Sequence, residues 1–154
     1  MDLRASTGLL LIDHDANLAV VYDDGHVARR TASIYRKEHV TATRSLPPSE
    51  ALRLDALISV AEHGIASRVL AKNAGGNVTL FAFDAGEALS EHTAPFDALV
   101  IVLEGTFALT IGGERVNAVE GTVVRMPAGV PHAVEATQAS RMLLIMLRDA
   151  PRNA

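Results

Sequence analysis

The chain of 154 residues has no cysteine and no tryptophan, with only four phenylalanines and two tyrosines. Without cysteine there is no disulfide framework, no thiolate nucleophile and no Cys-based zinc site. A basic stretch is also missing. Lys and Arg number 14 against 18 Asp and Glu, for a net charge of −4. The densest basic points, Arg29-Arg30 and Arg36-Lys37, read as solvated faces, so no nucleic-acid partner is expected. No apolar run approaches the ~20 residues that cross a bilayer. The patch Leu9–Ile12 is too short, and Asp2 and Arg4 ahead of it do not make a secretory signal. A soluble, cytoplasmic protein without a membrane partner is expected. No internal repeat or low-complexity tract appears.

What is present is apolar material, 49% of the residues, enough for one domain with a substantial core. Leu9–Ile12 and Leu18–Tyr22 are β-favouring runs on either side of a turn-rich Asp13–Asn17. Asp24-Gly25 suits a hairpin turn, with His26–Arg36 as a possible third strand. His14, His26 and His39 share no face or ligand spacing and read as surface residues. Pro47-Pro48 marks the best boundary. After it, Ser49 is placed to cap a short helix over 50–58, with Leu52, Leu54, Leu57 and Ile58 as its apolar stripe.

From Ala66 onward strands and turns alternate at the short intervals of an all-β sandwich or barrel. Ala66–Lys72 is a strand, Asn73–Asn77 its turn, and Val78–Asp84 the next strand. Phe107, Leu109 and Ile111 alternate with Thr106, Ala108 and Thr110, so one side of that strand faces a core. Gly112-Gly113 makes a tight hairpin into Glu114–Val119. Met142–Leu147 is apolar on both sides, which predicts a strand covered on both faces, the second cover being another subunit of a homodimer.

Two stretches carry the chemistry. The first runs Gly86-Glu-Ala-Leu-Ser-Glu-His92-Thr-Ala94-Pro95-Phe-Asp-Ala98 and on to Gly105. The second runs Gly121-Thr-Val-Val-Arg-Met-Pro127-Ala-Gly129-Val-Pro-His132 and on to Ala136. The four glycines sit at turns that need positive φ, and Pro127 and Pro131 bracket the loop that presents His132.

These stretches resemble the two signature motifs of the cupin superfamily, G-x5-HxH-x3-4-E-x6-G and G-x5-PxG-x2-H-x3-N. The resemblance implies a single jelly-roll β-barrel over 49–150, with residues 1–48 as a short extension of strand and helix that the barrel does not depend on. It also implies a metal held by four side chains pointing into the barrel. Carried over position by position, the first histidine of HxH is His92 and the second-motif histidine is His132. The other histidine falls on Ala94, the glutamate on Ala98 and the closing asparagine on Ala136. Asp97 is one step from the glutamate position and therefore turned to the opposite face.

With half the ligands replaced, His92 and His132 should hold a divalent transition metal (Zn, Fe, Ni, Mn or Cu) only weakly. The favoured expectation is a barrel that binds a small molecule. His92 and His132 are its polar anchors, and Phe81, Phe83, Met126, Met142 and Met146 its lining, with Phe96 also available. A metal-dependent dioxygenase, isomerase or decarboxylase, as many cupins are, and a dimeric interaction module are the alternatives.

Overall fold

A computed structural model describes residues 46–149 in full and the backbone of residues 7–12 and 18–22. The Asp24-Gly25 turn, the third strand proposed over 26–36, and His14, His26 and His39 all lie outside the described residues.

Two short strands, β1 (Thr7–Ile12) and β2 (Leu18–Tyr22), form an antiparallel hairpin. The main body then uses β3 (Ile65–Asn73), β4 (Gly76–Phe83), β5 (Ala88–His92) and β6 (Asp97–Glu104). Next come β7 (Thr106–Ile111), β8 (Glu114–Val119), β9 (Val123–Met126), β10 (His132–Ala136) and β11 (Ser140–Leu147). They pair into two sheets with orders β2-β1-β5-β10-β7-β8 and β3-β4-β11-β6-β9. The result is a jelly roll in which consecutive strands repeatedly switch sheets.

Alternation decides which side chains fill the space between the sheets. Val100 and Val102 of β6, Phe107 and Leu109 of β7, and Met142 and Leu144 of β11 point inward. Phe83 meets Phe107 from the opposite sheet edge to face, with ring centres 5.1 Å apart, a favoured aromatic geometry. The outward face of β4, Leu80 and Ala82, is covered by Leu54, Leu57, Ile58 and Val60 from the segment ahead of β3.

That segment does not form the helix expected over 50–58. Only Leu54–Ala56 makes a single 3-10 turn, and Arg53, not Ser49, precedes it. Ser49 has a φ of +63°, far from the extended conformation of a capping residue. A helix of nine residues is too short to sustain itself, so its leucines are arranged by the sheet beneath them. Arg68 fixes the same segment by donating from its guanidinium to the Leu57 carbonyl at 3.1 Å.

The expectation for β11 is met on one face and only in part on the other. Met142, Leu144 and Met146 are buried, and Leu143 is packed in the outer cluster. Leu147, by contrast, is 48% exposed.

Glu87, at the turn into β5, is an acidic side chain in the interior. It is only 5% exposed, and its Oε2 has no hydrogen-bond partner among the described residues. Burial and the nearby Asp84 raise its pKa, with His63 opposing. A carboxyl whose pKa rises on folding stabilises the fold fully below its ordinary value and loses that contribution as pH climbs through the raised one. Glu87→Gln should therefore raise the melting temperature at pH 7.5 by roughly 2–4 °C, the equivalent of about 1 kcal/mol. The gain should vanish near pH 4. A gain unchanged from pH 4 to 7.5, or a loss at pH 7.5, would contradict a charge penalty at this position.

Candidate functional site

The site is built at one end of the barrel, where β5 and β9 finish and β6 and β10 begin. In the antiparallel β5–β10 pair His92 stands directly opposite His132, and the next pair is Val134 with Leu89. Two residues of β10 therefore span three of β5, a β-bulge. Simple alternation would put Leu89 and His92 on opposite faces. The extra residue turns both inward, and directly opposed side chains on one face are close neighbours. The two imidazole centres lie 4.4 Å apart, edge to face at 65°.

The loop carrying His132 is held at three points. Gly129 N–H donates to the Ala94 carbonyl, and Gly112 N–H to the Pro131 carbonyl, each at 2.8 Å. Asp97 accepts from Ala128 N–H at 2.9 Å and from Arg125 Nε and Nη2 at 3.0 and 2.7 Å. The Ala128 bond, then the Arg125 pairing, lower its pKa. Asp97 thus faces away from the barrel interior, as its neighbouring position to Ala98 requires, and positions the loop instead of offering a ligand. Gly129 takes φ +73°, which a side chain would resist.

Hydrogen bonding sets the tautomers. His92 Nδ1 is 2.8 Å from the Ser90 carbonyl, and His132 Nδ1 is 3.0 Å from the Val130 carbonyl. A carbonyl only accepts, so each Nδ1 carries the proton and each Nε2 keeps its lone pair when the ring is neutral. Burial lowers the pKa of His92; the Ser90 bond opposes this and His132 adds to it. Burial thus favours the neutral form of His92.

Both rings line a cavity with Leu89, Val134, Leu144 and Phe96, together with Ala94, Ala98, Met126, Met142 and Met146. The sequence reading placed His92, His132, Met126, Met142 and Met146 here, and they do meet. Phe81 and Phe83 do not belong to the lining. Both are fully buried in the core, and Phe83 is taken up by Phe107. Alternation shows that a phenylalanine faces inward, but not at which depth of the barrel it lies. Leu89 could not be assigned because its facing depends on the bulge in β5, whereas Val134, two residues from His132 on β10, follows from plain alternation and was missed.

Ala98 is paired with Met126 on one side and Met146 on the other. The two methionines thus flank the place where the motif would carry a glutamate. The space left at rest is small, about 20 Å3 for the centre of a water molecule, room for one water or one ion.

The donor set does not fit a four-ligand divalent centre. Ala94 and Ala98 line the cavity where a second histidine and a carboxylate would be needed. Among the described residues no group of three His, Cys, Asp or Glu is placed to hold a metal ion. No helix among them is long and apolar enough to cross a membrane.

Comparison with known proteins agrees with the fold. The sequence profile for the Cupin domain matches residues 79–147. A conserved protein of unknown function from Streptococcus pyogenes is 31% identical with a TM-score of 0.66, the match covering 69% of this chain and 93% of that one. A cupin superfamily protein from Desulfitobacterium hafniense is also 31% identical, with a TM-score of 0.65 and coverage of 69% and 97%. An uncharacterised protein of Streptomyces coelicolor is 39% identical over 56 residues, 36% of this chain. The match spans about half, 53%, of that curated relative.

Proposed function

Because this chain belongs to the cupin superfamily, we propose that its barrel is a binding module whose mouth takes a very small ligand through the Nε2 lone pairs of His92 and His132. The observation that carries the reading is the pair of backbone bonds at Nδ1, which in the neutral ring leaves Nε2 as the acceptor. Such a site suits an electron-pair acceptor, either a neutral hydrogen-bond donor or a metal ion. An anion would need a protonated ring, which burial of His92 opposes. The apolar lining supplies contact area, and the flexible methionines can open the cavity by changing rotamer. The incomplete donor set speaks against a metal-dependent enzyme of the usual cupin kind.

The test uses protein labelled at the methionine methyl groups. Methanol, formamide, phenol, Cu(I) and Zn(II) are added separately, with acetate as a control, and a chelator accompanies the organic probes. At least one acceptor-seeking probe should shift the Met126, Met142 and Met146 signals saturably, while acetate does not. The response should fall at least tenfold in affinity in His92→Ala and in His132→Ala. Silence from every probe, or a response unchanged in both variants, would remove the reading.

A further inference from the structure

We infer that the outward face of the sheet β3-β4-β11-β6-β9 is the interface of a homodimer, in which residues 46–60 of each copy pack on the β6–β9 half of the other. The inference stands apart from the ligand reading above.

The two sheets differ on their outer sides. A solvated face of an antiparallel sheet normally carries polar residues. The sheet that ends in β8 follows this rule. Thr106 and Thr110 of β7, Arg115 and Asn117 of β8 and Glu135 of β10 share its outer side, and Arg115 pairs with Glu135 at 3.3 Å. In the other sheet the positions alternating with the core residues of β6 and β11 are Leu99, Ile101, Leu103, Leu143 and Ile145. Val123 and Leu147 continue that face, 60% and 48% exposed.

Half of the apolar face is covered from within the chain. Leu46, Leu54, Leu57, Ile58 and Val60 form a ridge over Leu70, Leu80 and Ala82 that reaches Leu103 and Leu143. Leu99, Ile101, Val123, Ile145 and Leu147 stay outside this cluster. The covered half is thus β3–β4, the bare half β6–β9, and β11 is the central strand between them. A two-fold axis along β11 lays the ridge of one copy on the bare half of the other, and symmetry repeats the contact. Leu52 belongs to the ridge segment, has no part in the intrachain cluster and is 40% exposed. Beside the ridge, a groove of about 340 Å3 runs over Ala71, Val78, Ile145 and Leu147, where Gly75 and Gly76 carry no side chain. One face therefore supplies both relief and hollow.

Charge and area agree with a second copy as the occupant. Two-fold pairing sets a face against itself, so a surplus of one sign would repel. The ionic groups bordering this face are paired within the chain, Asp97 with Arg125, Glu104 with Arg141, and Arg53 with Asp55 on the ridge. Five strands about 4.8 Å apart and about five residues deep give a face of roughly 20 by 17 Å. With its relief that is on the order of 600 Å2 a side and about 1,200 Å2 in all, which reaches the size of a specific interface.

The experiment is sedimentation of the intact chain at about 20 µM, above the micromolar constants at the weak end of specific interfaces. A dimer is expected. Val123→Arg and Leu147→Arg should each weaken it at least tenfold, and the double variant at least a hundredfold. Val119→Arg is the control, since Val119 is 50% exposed on β8 of the polar-faced sheet, and should leave the dimer unchanged. In dimers mixed from labelled and unlabelled chains, isotope-filtered NOEs should join Leu52 of one copy to Ile101 or Val123 of the other. A monomer at this concentration, a folded double variant that dimerises like the wild type, or an equal loss in Val119→Arg would overturn the interface. A dimer lacking the Leu52 contact would overturn the two-fold arrangement on which the inference rests.

Discussion

Gly76→Ala should lower the melting temperature by roughly 10 °C, corresponding to about 3 kcal/mol or more. Gly76 opens β4 with φ +145°, opposite Leu147 at the end of β11. A Cβ built there would lie 1.8 Å from the Met146 carbonyl oxygen and 3.0 Å from its carbonyl carbon. Those atoms are backbone, so relief requires moving the strand and not merely a rotamer. Moving it also disturbs Met146 in the cavity wall and the bond from Arg148 N–H to the Gly75 carbonyl, 2.9 Å. The neighbouring Gly75→Ala is the control. Its Cβ would meet only Asn73 Oδ1 at 3.3 Å, a side-chain atom, and a change within about 1 kcal/mol is expected. Calorimetry on the two variants decides the matter. Equal melting temperatures would show that the close approach of β4 and β11 is not what the fold depends on here.

Ala94→His/Ala98→Glu should convert the site into one for divalent ions, at a large cost to the metal-free protein. Both alanines are at most 5% exposed, and the resting cavity admits little more than a water. Overpacking and a buried carboxylate together should remove about 3–4 kcal/mol in the presence of chelator, or roughly 10 °C. Zn(II) at a thousandfold excess over its dissociation constant restores about 4 kcal/mol to a protein that binds it only when folded. The variant should therefore be fragile with chelator and near wild type with Zn(II), while the wild type is much less affected by either. Adding His132→Ala should abolish the recovery. A folded variant that Zn(II) does not stabilise, or a wild type stabilised as strongly, would show that the alanines do not stand where ligands are missing.

Much of the barrel was legible because turns are local. Gly86, Gly105, Gly121 and Gly129 all take positive φ, and the alternation through Phe107, Leu109 and Ile111 predicts the inward face of β7. The helix expected over 50–58 failed for a related reason. Ser49 and the leucine spacing satisfy a local pattern, but the sheet under Leu54, Leu57 and Ile58 offered those side chains a better surface than a short isolated helix could.

By itself the sequence determined the all-β character and the turn positions, because each is a property of residue type or of near neighbours along the chain, and its resemblance to the cupin motifs put alanine at two ligand positions, 94 and 98. Only the tertiary structure decided that His92 faces His132, that Met126 and Met146 flank Ala98, and that Phe81 and Phe83 lie off the cavity. Those facts depend on register between strands far apart in the chain, and one bulged residue in β5 is enough to turn a side chain from one face to the other.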